Sequence, residues 1–372
     1  SITVKQGVGK TYPDISSAAK VEPDIFNYSF QFQSMKLKFS NINMSHNNQN
    51  ELIIHPGVYK ITEDLIVPRD LKVIIEAGTT LLLAEDIAIL GYQGVDIKGT
   101  AKAPVVVKAL DPSKPYGSFG FLGNKNTKNT IDHLYLSGGS ERWIKGIFFS
   151  GGFSIHYSDE VVLRNCRVSD NHADDGVNFK YVNHVLIENS IFQDNFADQI
   201  DLDSSNGRII KSKFLNTKMA DLNGDGVDVS GSDVLISGSK FTGFNDKGIS
   251  IGERSEVIIN RSEIQNNKIG VAVKDISHAF FVNTKFDSNS KDILVYRKKR
   301  IYGGGFAYID SLGSDTNKIK YDVDSQSKFF ILDHQLSQKM SNFNPKKVNI
   351  ESILKTFAAM KNLPVKTQSQ VN

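Results

Sequence analysis

Acidic residues gather in two short stretches of this chain. Residues 197–204 read ADQIDLDS, with Asp198, Asp201 and Asp203; residues 223–230 read NGDGVDVS, with Asp225 and Asp228. Carboxylates grouped in this way do one of three things. They cap turns by accepting backbone N–H groups. They hold a hard divalent cation through oxygen ligands. Or they work as an acid and a base on a glycosidic bond, about 5 Å apart in retaining enzymes and wider in inverting ones. Cationic groups follow nearby: Lys180, Lys247 and Arg254. In a lyase such groups neutralise a uronate carboxylate or take the C5 proton. Catalytic candidates are therefore Asp201, Asp228, Asp203, Lys180, Lys247 and Arg254. Calcium is the candidate ion, because DLNGDGVD (221–228) matches the first half of a D-x-N-x-D-G loop. The glutamate that completes an EF-hand would fall at Ser232, so that motif fails. Asp201, Asp221, Asp225 and Asp228 are the expected metal ligands.

Any shared chemistry requires the two stretches to be neighbours in space, and an internal repeat makes them so. DGVNFK (175–180), DQIDLD (198–203), DGVDVS (225–230), KGISIG (247–252), IGVAVK (269–274) and KDILVY (291–296) recur at steps of 23, 27, 22, 22 and 22 residues. KGIFFS (145–150) is read as one step earlier. A second ladder follows each piece: VLRNCRVSDN, LIENSIFQDN, IINRSEIQNN and FVNTKFDSN end at Asn171, Asn195, Asn267 and Asn289, and VLISGSKFTGFN ends at Asn245. A repeat of about 22 residues carrying short β-type runs is the pattern of a parallel β-helix. One coil cannot bury its apolar face alone, and stacked coils share a continuous core. Crossovers between parallel strands are right-handed.

Alternation then assigns the faces. Val177, Ile200, Val227, Ile249, Val271 and Ile293 point inward, as do Phe179, Leu202, Val229, Ile251, Val273 and Val295 in the next row. The fourth column points outward: Phe148, Asn178, Asp201, Asp228, Ser250, Ala272 and Leu294. So does the sixth, with Lys180, Asp203 and Lys274. Coils about 4.8 Å apart bring Asp201 beside Asp228 and Lys180 beside Asp203. Asp175, Asp198 and Asp225 form a row at the strand entry, where turn capping is the simpler reading. Asp174, Asp175, Phe148, Asn178, Lys274, Arg297 and Lys298 are the expected substrate contacts. Phe148 would stack on a sugar ring, and Trp143 either does the same or packs in the core; Arg297 and Lys298 begin the basic run RKKR (297–300) before three glycines. His156 is expected to be a hydrogen-bonded turn residue. In the second ladder Phe192, Ile264 and Phe286 stack over Val168, and Cys166 aligns with Ser190, Ser262 and Thr284 as a small buried residue. The recurrent Asn is expected to turn the chain in a left-handed conformation, with stacked amides.

The totals exclude several classes. Forty-four basic against 41 acidic residues give a net charge of +3, which makes no case for nucleic acid. No apolar run reaches the 18 or so residues of a membrane span. One cysteine rules out an internal disulfide framework. Three regions are expected: an N-terminal cap and entry (1–50), with TYPDISSAAK (11–20) as a short helix; a parallel β-helix (51–310); and a C-terminal extension (311–372). In the last, NIESILKTFAAMK (349–361) reads as a helix that covers the open end of the solenoid, ahead of a disordered tail.

Two groups of motifs carry a family resemblance. TYPDISSAAK followed by HPGVYKI resembles the N-terminal entry of pectate-lyase-like β-helix proteins. FSIHYSDEVVLRNC, ADDGVNFKY, NFADQIDLD, NGDGVDVSGSDVLI, NDKGISIGERSEV, NNKIGVAVKD and YRKKRIYGGG resemble a bacterial β-helix module that accompanies spore-coat-type (CotH) kinase domains, over roughly residues 50–310. The resemblance implies an all-β, single-stranded right-handed parallel β-helix of about 22–27 residues per coil. It also implies membership of the carbohydrate-binding and sugar-hydrolase β-helix superfamily, rich in lyases, hydrolases and epimerases. The expected partner is a polysaccharide or surface glycan, met in the periplasm, outside the cell or at its surface. The alternative is a non-catalytic scaffold or adhesion module beside a kinase domain; no kinase motif is visible in this chain. Asp174–Asp175 resembles the paired acids of polygalacturonases, without the rest of their set.

Overall fold

The computed structural model describes residues 28–218, 224–310 and 318–332. The expected helices at 11–20 and 349–361, the C-terminal tail and Asp221 lie outside the described residues. Two compact units are present, Ser1–Ser40 and Asn41–Asn372. The first contributes one described helix, Tyr28–Lys38. The second is a stack of β-coils.

Each coil carries up to three strands, and almost all pairing is parallel. Asp198–Asp203 lies between Asp175–Glu188 and Val227–Ser230, with Asn178 opposite Asp201 and Asp201 opposite Asp228. The ladder continues through Lys247–Gly252, Ile269–Lys274 and Lys291–Tyr296. A second strand of each coil pairs in the same large sheet, as in Asp233–Ser237 against Glu256–Asn260. The third strands make a separate ten-stranded sheet, from Gly57–Ile61 to Lys285–Asp287. Antiparallel exceptions mark special places. Met44–His46 pairs with Glu51–Ile54 at the entry, and Arg142–Ile144 pairs with Ile147–Phe149 as a two-stranded hairpin. Regular pairing runs past residue 310, through Tyr321–Val323 and Lys328–Leu332.

The alternation rule holds in the core. The two inward rows of the first ladder are completely buried. Phe192, Phe214 and Phe241 stack face to face, with centroids 5.1 and 4.7 Å apart. Each such ring removes apolar area from water at roughly 25 cal/mol per Å², so the phenyl column is a main source of cohesion between coils.

Corners are closed by polar ladders. Cys166, Ser190, Ser212 and Ser239 form one: the amide of each donates to the side chain of the next, Cys166 N to Ser190 Oγ at 3.1 Å and Ser212 N to Ser239 Oγ at 3.1 Å. Cys166 is buried, as its alignment with serines predicts. At another corner Asn171 donates through Nδ2 to Asn195 Oδ1 at 2.8 Å, and Asn267 to Asn289 Oδ1 at 3.0 Å. The stacked amides are present, but the left-handed residue is the one before each Asn: Asp170, Asp194, Asn266 and Ser288, with φ between 54° and 55°. The buried Asn instead satisfies backbone groups that the bend frees. Asn245 also differs from expectation. Phe244, not Asn245, occupies the ladder position, and its N–H donates to Asn267 Oδ1 at 3.0 Å.

One register expectation is overturned. KGIFFS is not a rung of the first ladder, because its strand Ile147–Phe149 folds back on Arg142–Ile144. The rung is GGFSIH (151–156), with Gly151 opposite Asp175, Ser154 opposite Asn178 and His156 opposite Lys180. Phe148 therefore leaves the fourth column and Ser154 takes its place.

Candidate functional site

The outward side of the first ladder changes character along the solenoid. At its N-terminal part it is apolar and covered. Phe149 of the hairpin packs with Ala88, Leu90 and Ile144, flanked by Ile66, Tyr92 and Leu122. A Cβ at Gly120 would run into the Phe149 ring, so the hairpin can seat only over a glycine. From Ser154 onward the face is polar, and the hairpin forms a wall at its edge. On that wall Trp143 and Phe148 are exposed with their rings 5.1 Å apart.

Beyond the wall a hydrogen-bonded chain crosses three coils. His156 Nε2 lies 2.8 Å from Asn178 Oδ1, and Asn178 Nδ2 donates to Asp201 Oδ2 at 3.2 Å. With its amide nitrogen committed to a carboxylate, Asn178 presents only an acceptor to the histidine. The proton therefore sits on Nε2 of the neutral ring. Burial lowers the His156 pKa to about 4, against the opposing hydrogen bond that the ring donates to Asn178, so the ring is neutral near pH 7. It is no turn histidine but a member of the sixth outward column.

Asp198, Asp225 and Asp228 converge beside this chain. One carboxylate oxygen of each lies within 4.8 Å of the others. The backbone brings them together: Asp225 N donates to Asp198 Oδ1 at 2.7 Å, and a Cβ at Gly224 would collide with the Ala197 carbonyl, so the approach requires glycine there. Asp228 Oδ1 is buried without a hydrogen-bond partner, and so is Asp175 Oδ2. The nearest cation to Asp228 is Lys274, with Nζ 3.9 Å from Oδ1 and 2.7 Å from Ser250 Oγ. Three carboxylate oxygens this close together can share one hard divalent cation, and an all-oxygen set is the kind that calcium takes.

The electrostatics follow from crowding. Burial raises Asp175 to about 7, helped by Asp174, Asp203 and Asp228 and opposed by a hydrogen bond from Ser150. Burial also lifts Asp198 and Asp201 well above the ordinary carboxylate range, with neighbouring carboxylates adding to it. Asp225 rises less, to about 6, because burial is opposed by the Lys247 ammonium. Lys247 lies 3.2 Å from Asp225 Oδ1 and also pairs with Asp246. Burial works against its charge, yet these two carboxylates hold it protonated. Lys180 pairs with Asp203 at 3.2 Å, and that carboxylate likewise outweighs burial.

The remaining sequence candidates sit farther out. Asp174 is exposed, and its carbonyl accepts the Asp198 N–H. The Arg254 guanidinium rests 5.6 Å from the Tyr302 ring centre. Arg297 and Lys298 are exposed, with their backbone N–H groups held by Asp324 and Asp275. The sequence reading missed Asp198 as a partner of Asp225 and Asp228, giving that place to Asp201. It also missed Tyr157 and Tyr181, exposed rings stacked 5.3 Å apart midway along the strands that carry His156 and Lys180. The 24-residue step from GGFSIH to DGVNFK was the signal available for both His156 and Tyr157.

A family model described as the right handed beta helix region matches residues 114–218 and 198–321, together more than half of the chain. The chain belongs to this family. Its handedness is thereby fixed. None of the curated proteins matches the sequence. Among solved structures, the Azotobacter vinelandii mannuronan C-5 epimerase AlgE6 A-module is 12% identical, with 76% of this chain and 81% of that one covered and a TM-score of 0.49. The pectate lyase Pel9A is 13% identical, over 73% and 79%, at 0.41. An alginate lyase from Paenibacillus sp. str. FPU-7 is 11% identical, over 72% and 99%, at 0.36. Within the described residues of this family member, no helix is long and apolar enough to cross a membrane.

Proposed function

We propose that the outward face from Ser154 to Lys274 binds an anionic, uronate-containing polysaccharide, and that Asp198, Asp225 and Asp228 hold a calcium ion in doing so. The convergence of their three oxygens within 4.8 Å, one of them buried and unpartnered, carries this reading. Bound there, the ion would offset the charge of a sugar carboxylate and make its neighbouring C–H more acidic. Lys180 and Lys274 flank the trio and supply further positive charge. Their paired ammonium groups suit charge neutralisation, and the Asp201–Asn178–His156 chain fixes the orientation of Asp201 between them. The reaction such a site favours is elimination across C4–C5 of the uronate, in which a base takes the C5 proton, the C4–O bond breaks as C4=C5 forms, and the leaving oxygen takes up a proton; that step depends on a neutralised carboxylate. The exposed Trp143–Phe148 and Tyr157–Tyr181 pairs offer rings for sugar stacking. A polysaccharide ligand places the action in the periplasm, in the medium or at the cell surface.

A second reading rests on one observation. Without an ion, Asp175, raised to about 7, is partly protonated at neutral pH, while Asp225, raised to about 6, is mostly ionised. That is the acid-and-base division a glycoside hydrolase uses. Incubating the protein with polygalacturonate and with alginate, in calcium and in chelator, distinguishes the two. Calcium-dependent ultraviolet absorbance from new C4=C5 double bonds supports elimination. Reducing ends without that absorbance, unaffected by chelator, would move the assignment to hydrolysis. Calcium-dependent retention on the polymer without cleavage would leave a binding module, of the kind that serves beside a spore-coat-type kinase domain. The absence of both retention and turnover would overturn the proposal.

A further inference from the structure

A second set of polar side chains converges at the entry to the solenoid, where the short strand Met44–His46 runs antiparallel to Glu51–Ile54. Leu52, Ile54, Val73 and Ile75 fill the core, so alternation turns Ile53 and His55 outward. Ile54 stands opposite Ile75 in the next coil, which brings His55 and Glu76 side by side. Ser45 pairs with Ile53, one place from His55 on the same face. The result is a linear relay. Ser45 Oγ lies 2.7 Å from His55 Nε2, and His55 Nδ1 lies 2.9 Å from Glu76 Oε2. An ionised carboxylate can only accept, so the proton of the neutral ring sits on Nδ1, and Nε2 accepts from the Ser45 hydroxyl. The histidine is held by its backbone. Its N–H donates to the Asn43 carbonyl at 3.0 Å, and its own carbonyl accepts the Tyr59 hydroxyl at 3.0 Å and the Thr79 hydroxyl at 3.2 Å.

We propose that Ser45 and His55, positioned by Glu76, hydrolyse short-chain carboxylic esters. Two observations select this over a purely structural network. The contacts fall in the order the chemistry needs, nucleophile on Nε2 and acid on Nδ1, and such relays are recognised by that geometry on unrelated folds. The relay also opens to solvent: Ser45 is half-buried, and the side chains of His55 and Glu76 are 29% and 41% exposed. Pairs this exposed add little to stability, whereas a nucleophile must be reachable. In the reaction Ser45 Oγ attacks the acyl carbonyl carbon while His55 Nε2 takes the hydroxyl proton. The bond from that carbon to the alcohol oxygen breaks, and the departing oxygen receives the proton. Water then adds to the acyl-serine and gives a proton to His55, which returns it to Ser45 Oγ as the carboxylic acid leaves. Glu76 is a positioning residue: it orients the ring and stabilises the imidazolium that forms. A relay this open suits a small acyl group, acetyl above all. The three residues stand on the first coils of the stack and the acid trio on later ones, so this inference is independent of the proposed function.

The test incubates the full chain with p-nitrophenyl acetate and, separately, with a fluorophosphonate, the modified residue being found by peptide mass mapping. The expected results are release of p-nitrophenol and phosphonylation of Ser45. Ser45→Ala should abolish both while leaving the melting temperature unchanged. His55→Gln should slow both on the order of 1,000-fold. Glu76→Gln should lower kcat at least about tenfold with KM unchanged, and Glu76→Asp should restore part of that loss, which a merely structural role would not produce. Chelator should alter neither rate. Turnover that survives Ser45→Ala, a label on another residue, or a labelling rate that ignores His55→Gln would overturn the proposal. So would the absence of both turnover and label.

Discussion

The calcium assignment predicts a different dependence of stability on pH with and without the ion. In chelator, Asp225 carries a pKa raised from 3.8 to about 6. A raised carboxylate pKa favours the folded state fully below the unfolded value, and that advantage is lost as pH climbs through the folded one. For Asp225 the loss falls between about pH 4 and pH 6 and amounts to about 3 kcal/mol. Asp175, raised to about 7, extends the same decline upward. The ion-free protein should therefore melt at progressively lower temperature from pH 4 to pH 7. Calcium needs the ionised carboxylates, so its affinity grows over the same range. At a hundredfold excess over Kd it adds about 2.7 kcal/mol. For a chain of 372 residues, with about 2.1 cal/mol/K of unfolding entropy per residue, that is about 3–4 °C. Calorimetric melting from pH 5 to pH 8, in calcium and in chelator, measures the gap. It should be near zero at pH 5 and full at pH 8. Asp228→Asn should abolish it at every pH, while leaving the chelated protein no less stable, since it removes a like charge from the cluster. A gap that ignores pH, or that survives Asp228→Asn, would refute the reasoning.

Three further outcomes are expected. Lys274→Met removes the cation nearest Asp228 and should weaken retention on polyuronate about tenfold, the effect of one charge-assisted contact of about 1.4 kcal/mol, read as midpoint salt or KM. Phe214→Ala empties the middle of the phenyl column and should cost about 3–5 kcal/mol, visible as a lower denaturation midpoint with unchanged circular dichroism below it. Cys166, with burial raising its thiol pKa to about 12, should resist thiol reagents at pH 8 in the native protein and react at once in denaturant.

Most of the scaffold could be read from spacing because a solenoid repeats a local rule. Each coil must put apolar residues at the same two inward positions, so five intervals sufficed to align Val177 with Ile293 and Asp201 with Asp228. The rule failed where the chain left the repeat. KGIFFS has the alternation of a rung, but the positive φ of Lys145 and Gly146 turns it into a hairpin, and no periodicity announces that. Asp198 was assigned to turn capping because alternation was applied only within the strand. At the strand entry the bend governs side-chain direction, and Asp198 turns toward Asp225 and Asp228. The left-handed residues were misplaced by one position for a related reason. Asp, like Asn, tolerates that conformation, and only burial separates the turning residue from the amide that is enclosed.

The asparagine ladder has a gap with a mechanical meaning. Asn171 and Asn195 belong to one run, Asn267 and Asn289 to another, and between them the position is filled by Thr217 and Phe244. In a stack where each coil grips only its neighbours, the break in this ladder leaves the phenyl column and the serine ladder to join the two blocks there. Asp198 stands on one coil of that stretch, and Asp225 and Asp228 stand on the next. A cation there would act as a rivet across the seam, merging two cooperative blocks into one rod. Ligand occupancy at the acid-lined face would then set the force at which the molecule yields when it is pulled along its axis.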